Sequence, residues 1–324
     1  MPEIWSRCWE KRKEINKAVV GKGQIRHVTI KYLLEAMRLP FAVVSVIAFL
    51  LGSLISLPRF HALLFCMGLA AVIATHLGAN LINDYADSST GVDWQDLTAY
   101  GFFGGSKLIQ KKIFSETFYL RLALVLIALA FFAVILLVIF THSLTALWAF
   151  AVIAVLAWGY SEKPFRFSYH GLGEIIIFLL FGPALVMGGY FIQTGIYPSA
   201  HAFCLSLPLG FAVTAVLFAN EIPDFPQDIL MGKRTLVAFF GQSRAFIFYY
   251  VLIAFAVASI LLNIALGYLG FLSFFSLLSL IPAVKAGNIL RSSYFDKHAC
   301  IQSSRLSLLV YNCIGIFLVL DMLL

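Results

Sequence analysis

Of 324 residues, 61% are hydrophobic and only 12% charged, with a formal net charge of +7. Soluble domains carry about 25% charged residues, so a water-soluble globular fold is excluded, and apolar runs repeating along nearly the whole chain read as an all-α integral membrane protein. Cys8, Cys66, Cys204, Cys300 and Cys313 form no C-x-x-C pair, which leaves no disulfide or thiolate-metal framework.

Residues 1–37 form a polar, basic arm with no early apolar stretch, so it is not read as a signal peptide. Its cations suit a cytoplasmic anchor on anionic lipid; a nucleic-acid role is not expected. Residues 38–324 read as one membrane domain. A span needs about 20 apolar residues, and the runs predict nine transmembrane helices: 40–57, 62–83, 118–140, 143–160, 172–194, 202–222, 245–263, 266–284 and 306–323. With the N-terminus inside, the inner segments are 1–39, 84–117, 161–171, 223–244 and 285–305. Together with Arg121 these hold every Lys and Arg except Arg59, a positive-inside distribution. The reading is a multi-pass protein of the cell (inner) membrane, with the C-terminus outside. The inner loops 84–117 and 223–244 are long, and a long loop in a compact fold often serves as a lid.

Those two loops carry the chemistry. Asn80-Leu81-Ile82-Asn83-Asp84-Tyr85-Ala86-Asp87, continuing to Asp93, closes one apolar run. Asn220-Glu221-Ile222-Pro223-Asp224-Phe225-Pro226-Gln227-Asp228 closes another. Both contain Asn-x-x-x-Asp. Ionisable groups at membrane depth are costly and mark function by default, and carboxylates crowded at a low-dielectric boundary repel unless a cation joins them. Asp84, Asp87, Asp93, Asp224 and Asp228 are therefore candidate metal ligands. An all-oxygen set suits Mg²⁺ or Ca²⁺, and Mg²⁺ commonly bridges carboxylates to substrate phosphates. Lys107, Lys111, Lys112, Lys163, Arg166, Lys233 and Arg234 are cations placed to meet such phosphates. Pro226 is accommodated if Asp224 caps a new helix there. Glu174 opens a span as a cap or a partner for a positive group. Tyr85 and Tyr160 adjoin the polar mouths, and the histidines show no ligand spacing. An ion or proton pathway in a cation-coupled transporter is the alternative.

The two clusters, the second extended by Gly232-Lys233-Arg234-Thr235-Leu236, resemble the aspartate-rich motifs of the UbiA superfamily of intramembrane prenyltransferases. Arg38-Leu39-Pro40 is similar to the segment before that family's first span. Gly171-Leu172-Gly173-Glu174 with Phe181-Gly182-Pro183 resembles the fifth helix of its 1,4-dihydroxy-2-naphthoate polyprenyltransferase branch. The resemblance implies a nine-helix bundle with a cytoplasmic-side cap formed by the two long loops, Mg²⁺, a polyprenyl diphosphate donor and an aromatic acceptor. That acceptor would be 1,4-dihydroxy-2-naphthoate, in menaquinone biosynthesis; 4-hydroxybenzoate, homogentisate or a lipid are the alternatives. It implies that Asn83, Asp87, Asp224 and Asp228 hold the metal and diphosphate, with Asn220 as their partner amide. Substrate contacts are expected from Arg38, Asn80, Tyr85, Lys107, Tyr160, Lys163, Lys233 and Arg234. Pro223 departs from the pattern, standing where the branch has an Arg. Lys107, Lys163 and Lys233 or Arg234 could each replace that charge, and Lys163 is the one expected to.

Overall fold

A computed structural model describes residues 30–324; most of the basic arm, 1–29, lies outside the described residues. We number the helices α1 Ile30–Ala36, α2 Ala42–Leu54, α3 Ala62–Thr90, α4 Glu116–Thr141, α5 Thr145–Ser161, α6 Gly173–Thr194, α7 Ala200–Leu230, α8 Leu236–Phe240, α9 Ala245–Ala265, α10 Phe271–Ser292 and α11 Lys297–Met322. No strand occurs among the described residues. Helices α3, α4, α6, α7, α9, α10 and α11 are long and apolar enough to cross a membrane. The pair α1 and α2, bent by 52°, would make one more, whereas α5 has only 17 residues. Each of the nine apolar runs carries helix, and the chain is a multi-pass membrane protein.

The ends of the spans differ from the sequence reading. Helices α3 and α7 continue to Thr90 and Leu230, so both acidic clusters ride on helix instead of loop. The segment 285–305 is mostly helix as well. There α10 and α11 meet at a short turn capped by Asp296, whose Oδ1 accepts the N–H of His298 at 2.9 Å and of Ala299 at 3.3 Å.

Asp224 does not cap a new helix. Helix α7 runs unbroken through Pro208, Pro223 and Pro226. Each proline strands the carbonyl four residues earlier. Two of those carbonyls have found side-chain amides: Cys204 O accepts from Asn263 Nδ2 and Ile222 O from Gln242 Nε2, each at 2.8 Å. Such replacement donors are how membrane helices tolerate proline.

Helix α7 is the axis of the bundle, its apolar window mostly buried. Against it lie α2, α6, α9 and α11, with Tyr311 on α11 donating to Val44 O on α2 at 2.6 Å. A Cβ on Gly52 would strike Val186 O, and one on Gly189 would strike Phe49 O. Helices α2 and α6 therefore pack backbone to backbone, the close approach that small residues permit in membrane bundles. Leu124, Phe132, Trp148 and Val152 on α4 and α5 point outward and exposed, apolar surface suited to lipid.

Candidate active site

Helices α3 and α7 bring the two acidic clusters to one end of the bundle, where they line a pocket of about 120 Å³. Residues four apart share a helix face. Asn83 and Asp87 therefore enter the pocket together from α3, and Asn220, Asp224 and Asp228 from α7. Asp87 and Asp228 are buried. Lys233 lies between them, its Nζ 3.8 Å from Asp87 Oδ2 and 3.7 Å from Asp228 Oδ1. Burial alone would depress Lys233, but the carboxylates of Asp228 and Asp87 more than offset it and hold its pKa well above the ordinary lysine value. Asn83 Nδ2 donates to Ser161 Oγ at 2.8 Å, and Tyr169 OH donates to Asp87 Oδ1 at 3.3 Å.

The loop 91–115 closes over this pocket. Gly104 N–H donates to Asp224 Oδ2 at 2.8 Å, tying the loop to α7. Lys107 Nζ meets Asp93 Oδ1 at 2.9 Å and the Asp93 carbonyl at 3.0 Å. Its backbone sits at φ 60°, the left-handed region that non-glycine residues avoid and that ligand sites tolerate. Burial pushes the Asp93 carboxyl up to about 7; Lys107 opposes the rise, and Asp87 and Asp84 reinforce it. At the rim, Lys297 Nζ joins Asp96 Oδ2 at 2.9 Å and Gln227 Oε1 at 3.1 Å. Against the cost of partial burial, Lys297 and the Thr98 N–H hold Asp96 well below the usual carboxylate range.

Other expected site residues are placed differently. Asp84 does not line the pocket: it pairs with Arg38 and accepts the Ser106 N–H at 3.1 Å. Lys163 is exposed in the turn before Pro164, and Arg234 is exposed beyond Lys233; neither lines the pocket. The replacement cation nearest the paired aspartates is thus Lys233, not Lys163. Tyr85 packs among α1 and α4 side chains. Asn80 donates to Met37 O at 3.1 Å and faces the cavity below. Glu174 caps no helix of its own. Its Oε1 accepts the Leu236 N–H at 2.7 Å, pinning the second loop to α6. Lys297 and Tyr169 were not anticipated, since each meets its partner from 79 to 201 residues away.

Below the pocket lies an apolar cavity of about 290 Å³, running between α2, α3, α5 and α6. Arg38, Asn83, Tyr160 and Leu217 line both spaces. One continuous site therefore has an ionic head and an apolar body.

Among the described residues, no three carboxylates are close enough to cage an ion by themselves. The donor set nonetheless fits a hard cation that arrives with phosphate. Two clusters of oxygens face each other, and the buried Asn220 Oδ1 has no hydrogen-bond partner among the described residues. Mg²⁺ keeps waters and takes one or two carboxylates plus substrate phosphates, so Asp87, Asp224 and Asp228 would suffice.

The fold and site define a helical membrane bundle with paired Asn-x-x-x-Asp faces over an apolar cavity. The chain belongs to the UbiA prenyltransferase family, whose model matches residues 42–309. It is similar to UbiA prenyltransferase domain-containing protein 1 of Dictyostelium discoideum, at 27% identity over 66% of this chain and 65% of that one. It is also similar to the 1,4-dihydroxy-2-naphthoate octaprenyltransferase of Mycobacterium tuberculosis, at 29% identity over 59% of this chain and 62% of that one. The matched stretch thus spans less than two thirds of either relative. The fold resembles that of a UbiA homolog from Aeropyrum pernix K1, with TM-score 0.65 and 19% identity over 91% of this chain and 99% of that one. It also resembles a UbiA homolog from Archaeoglobus fulgidus bound to GPP and Mg²⁺, with TM-score 0.57 and 13% identity over 89% and 99%.

Proposed function

We propose that the protein transfers a polyprenyl group from a polyprenyl diphosphate to an aromatic acceptor, 1,4-dihydroxy-2-naphthoate in menaquinone biosynthesis. The observation that carries this is the shared lining of pocket and cavity by Arg38, Asn83, Tyr160 and Leu217. A diphosphate fits the ionic head and its isoprenoid tail the apolar body, with the reactive allylic carbon at the boundary. The naphthoate prenyltransferase among the relatives supports the acceptor, and the GPP- and Mg²⁺-bound fold neighbour supports the donor and the metal.

Bound Mg²⁺ would neutralise charge on the departing diphosphate. Asp87, Asp224 and Asp228 would hold it. Lys233, and Lys107 beyond Asp93, add fixed positive charge where leaving-group charge develops. The loop 91–115 keeps water from the allylic cation. The allylic C–O bond ionises with loss of diphosphate, the acceptor ring carbon bonds to the allylic cation, and the ring then sheds its proton or its carboxyl group as carbon dioxide. No side-chain nucleophile is needed. Incubation with labelled prenyl diphosphate and a panel of 1,4-dihydroxy-2-naphthoate, 4-hydroxybenzoate and homogentisate, read by product mass spectrometry, tests the acceptor. Alkylation of only the second or third compound would reject naphthoate. Asp87→Asn and Asp224→Asn are each expected to abolish product in protein that remains folded.

In this reading all nine helical segments cross the cell membrane. The N-terminus and both long loops are cytoplasmic, the loops cap the site, and the C-terminus is outside, as the distribution of Lys and Arg supports. Cysteines placed at the exposed Ala99 and Ala200 should label from inside and outside respectively. Opposite labelling would reject this topology.

A further inference from the structure

The stripe on α3 that carries Asp87, Asn83 and Asn80 does not end there. His76 continues it, seven residues before Asn83 and so about 10 Å deeper on the same face. It lines the apolar cavity and is itself 8% exposed. Its Nδ1 hydrogen-bonds Ser45 Oγ on α2 at 2.6 Å. The Phe181 ring packs against it edge-on at 5.1 Å. Those two contacts fix the ring plane. Nε2 has no hydrogen-bond partner among the described residues and is not one of the sealed polar atoms, so it opens on the cavity.

A polar nitrogen in an apolar, water-poor chamber is costly unless something bonds to it. An isoprenoid tail has neither donor nor acceptor, so the prenyl donor cannot satisfy His76. A hydroxyl can, whichever ring nitrogen carries the proton, because it both donates and accepts. The reacting carbon lies at the mouth beside Asn83 and Tyr160. An acceptor that presents its ring there and extends down the α3 face reaches toward His76 with the oxygen far from the mouth.

We propose that His76, held by Ser45, binds the second ring oxygen of a hydroquinone-type acceptor. The site would then select a para-dihydroxy aromatic over a monophenol. This rests on the prenyltransferase reading above. Ser45 is a positioning residue in it, and His76 touches the substrate.

The test compares wild type, His76→Phe and His76→Gln with two compounds. One is 1,4-dihydroxy-2-naphthoate; the other is 1-hydroxy-2-naphthoate, which lacks the oxygen at position 4 and serves as substrate or as competitive inhibitor. Loss of one buried hydrogen bond predicts that His76→Phe raises the KM for the dihydroxy compound roughly tenfold. The affinity for the monohydroxy compound and the KM for prenyl diphosphate should stay unchanged. His76→Gln, which restores a donor and acceptor near Nε2, should recover most of the loss. Equal losses on both naphthols, a selective loss on prenyl diphosphate, or no change at all would each overturn the assignment. Wild-type protein that alkylates neither compound, and no other aromatic, would overturn the prenyltransferase reading and this assignment with it.

Discussion

Lys233 gives the sharpest test of the electrostatics. Its ammonium lies 3.7 Å from Asp228 Oδ1 and 3.8 Å from Asp87 Oδ2, with the lysine side chain 14% exposed. At an effective dielectric of about 20, each pair is worth about 4 kcal/mol of Coulomb attraction, and the ammonium's own desolvation takes back much of the total. Truncation to Lys233→Met leaves two buried carboxylates facing each other without a counter-ion. Removing one partner from such an arrangement costs about 3–5 kcal/mol. For a domain of this size that is a fall in the unfolding midpoint on the order of 10 °C. Thermal unfolding in detergent, followed by intrinsic fluorescence, should show that fall in EDTA. Millimolar Mg²⁺ should reverse most of it, because a divalent cation can stand where the ammonium stood, and should stabilise wild type less. If the variant and wild type unfold together in EDTA, or if Mg²⁺ leaves the gap between them unchanged, Lys233 does not neutralise the paired aspartates.

Two further outcomes are expected. Burial holds the Asp93 carboxyl up at about 7, with Lys107 opposing and Asp87 and Asp84 reinforcing, whereas the unfolded chain releases that proton near 4. The folded state therefore binds the extra proton between those values. Its contribution to stability is fully present below about 4 and is lost as pH rises through about 7. The metal-free unfolding midpoint should accordingly decline from pH 5 to 8, and Asp93→Asn should flatten that decline. Gln242→Leu deprives Ile222 O of the amide that replaces the donor missing at Pro226. The cost of one unsatisfied buried carbonyl is about 1–3 kcal/mol, seen as a lower unfolding midpoint. An unchanged midpoint would mean that the proline in α7 needs no such partner.

The parts of the site that follow from helix periodicity were legible in the sequence. Asn83 with Asp87, and Asn220 with Asp224 and Asp228, sit four residues apart and reach one pocket from two helices. Spacing alone does not separate Asp84 from Asp87, since residues three apart can share a helix face; only the fold shows Asp84 taken up by Arg38 and the Ser106 N–H. Lys163 and Lys233 are both cations beside a motif. Only the fold distinguishes the exposed turn before Pro164 from the half-buried position between Asp87 and Asp228. Lys297 read as one more inner-loop charge because its partner Asp96 lies 201 residues away. The continuity of α7 through Pro226 was hidden for a similar reason. The donor that rescues it belongs to Gln242, on a segment whose position no local pattern reveals.

The central claim is that an ionic head site and an apolar body site act together on one amphiphilic substrate to form a carbon–carbon bond. It is tested most directly with purified protein in lipid nanodiscs, radiolabelled polyprenyl diphosphate and 1,4-dihydroxy-2-naphthoate. Prenylated product and inorganic diphosphate are measured in the same reaction, in Mg²⁺ and in EDTA. Product and diphosphate should appear in equal amounts with Mg²⁺, and neither should appear in EDTA. Diphosphate released without any prenylated aromatic, or a donor left intact in Mg²⁺ with every acceptor offered, would contradict it.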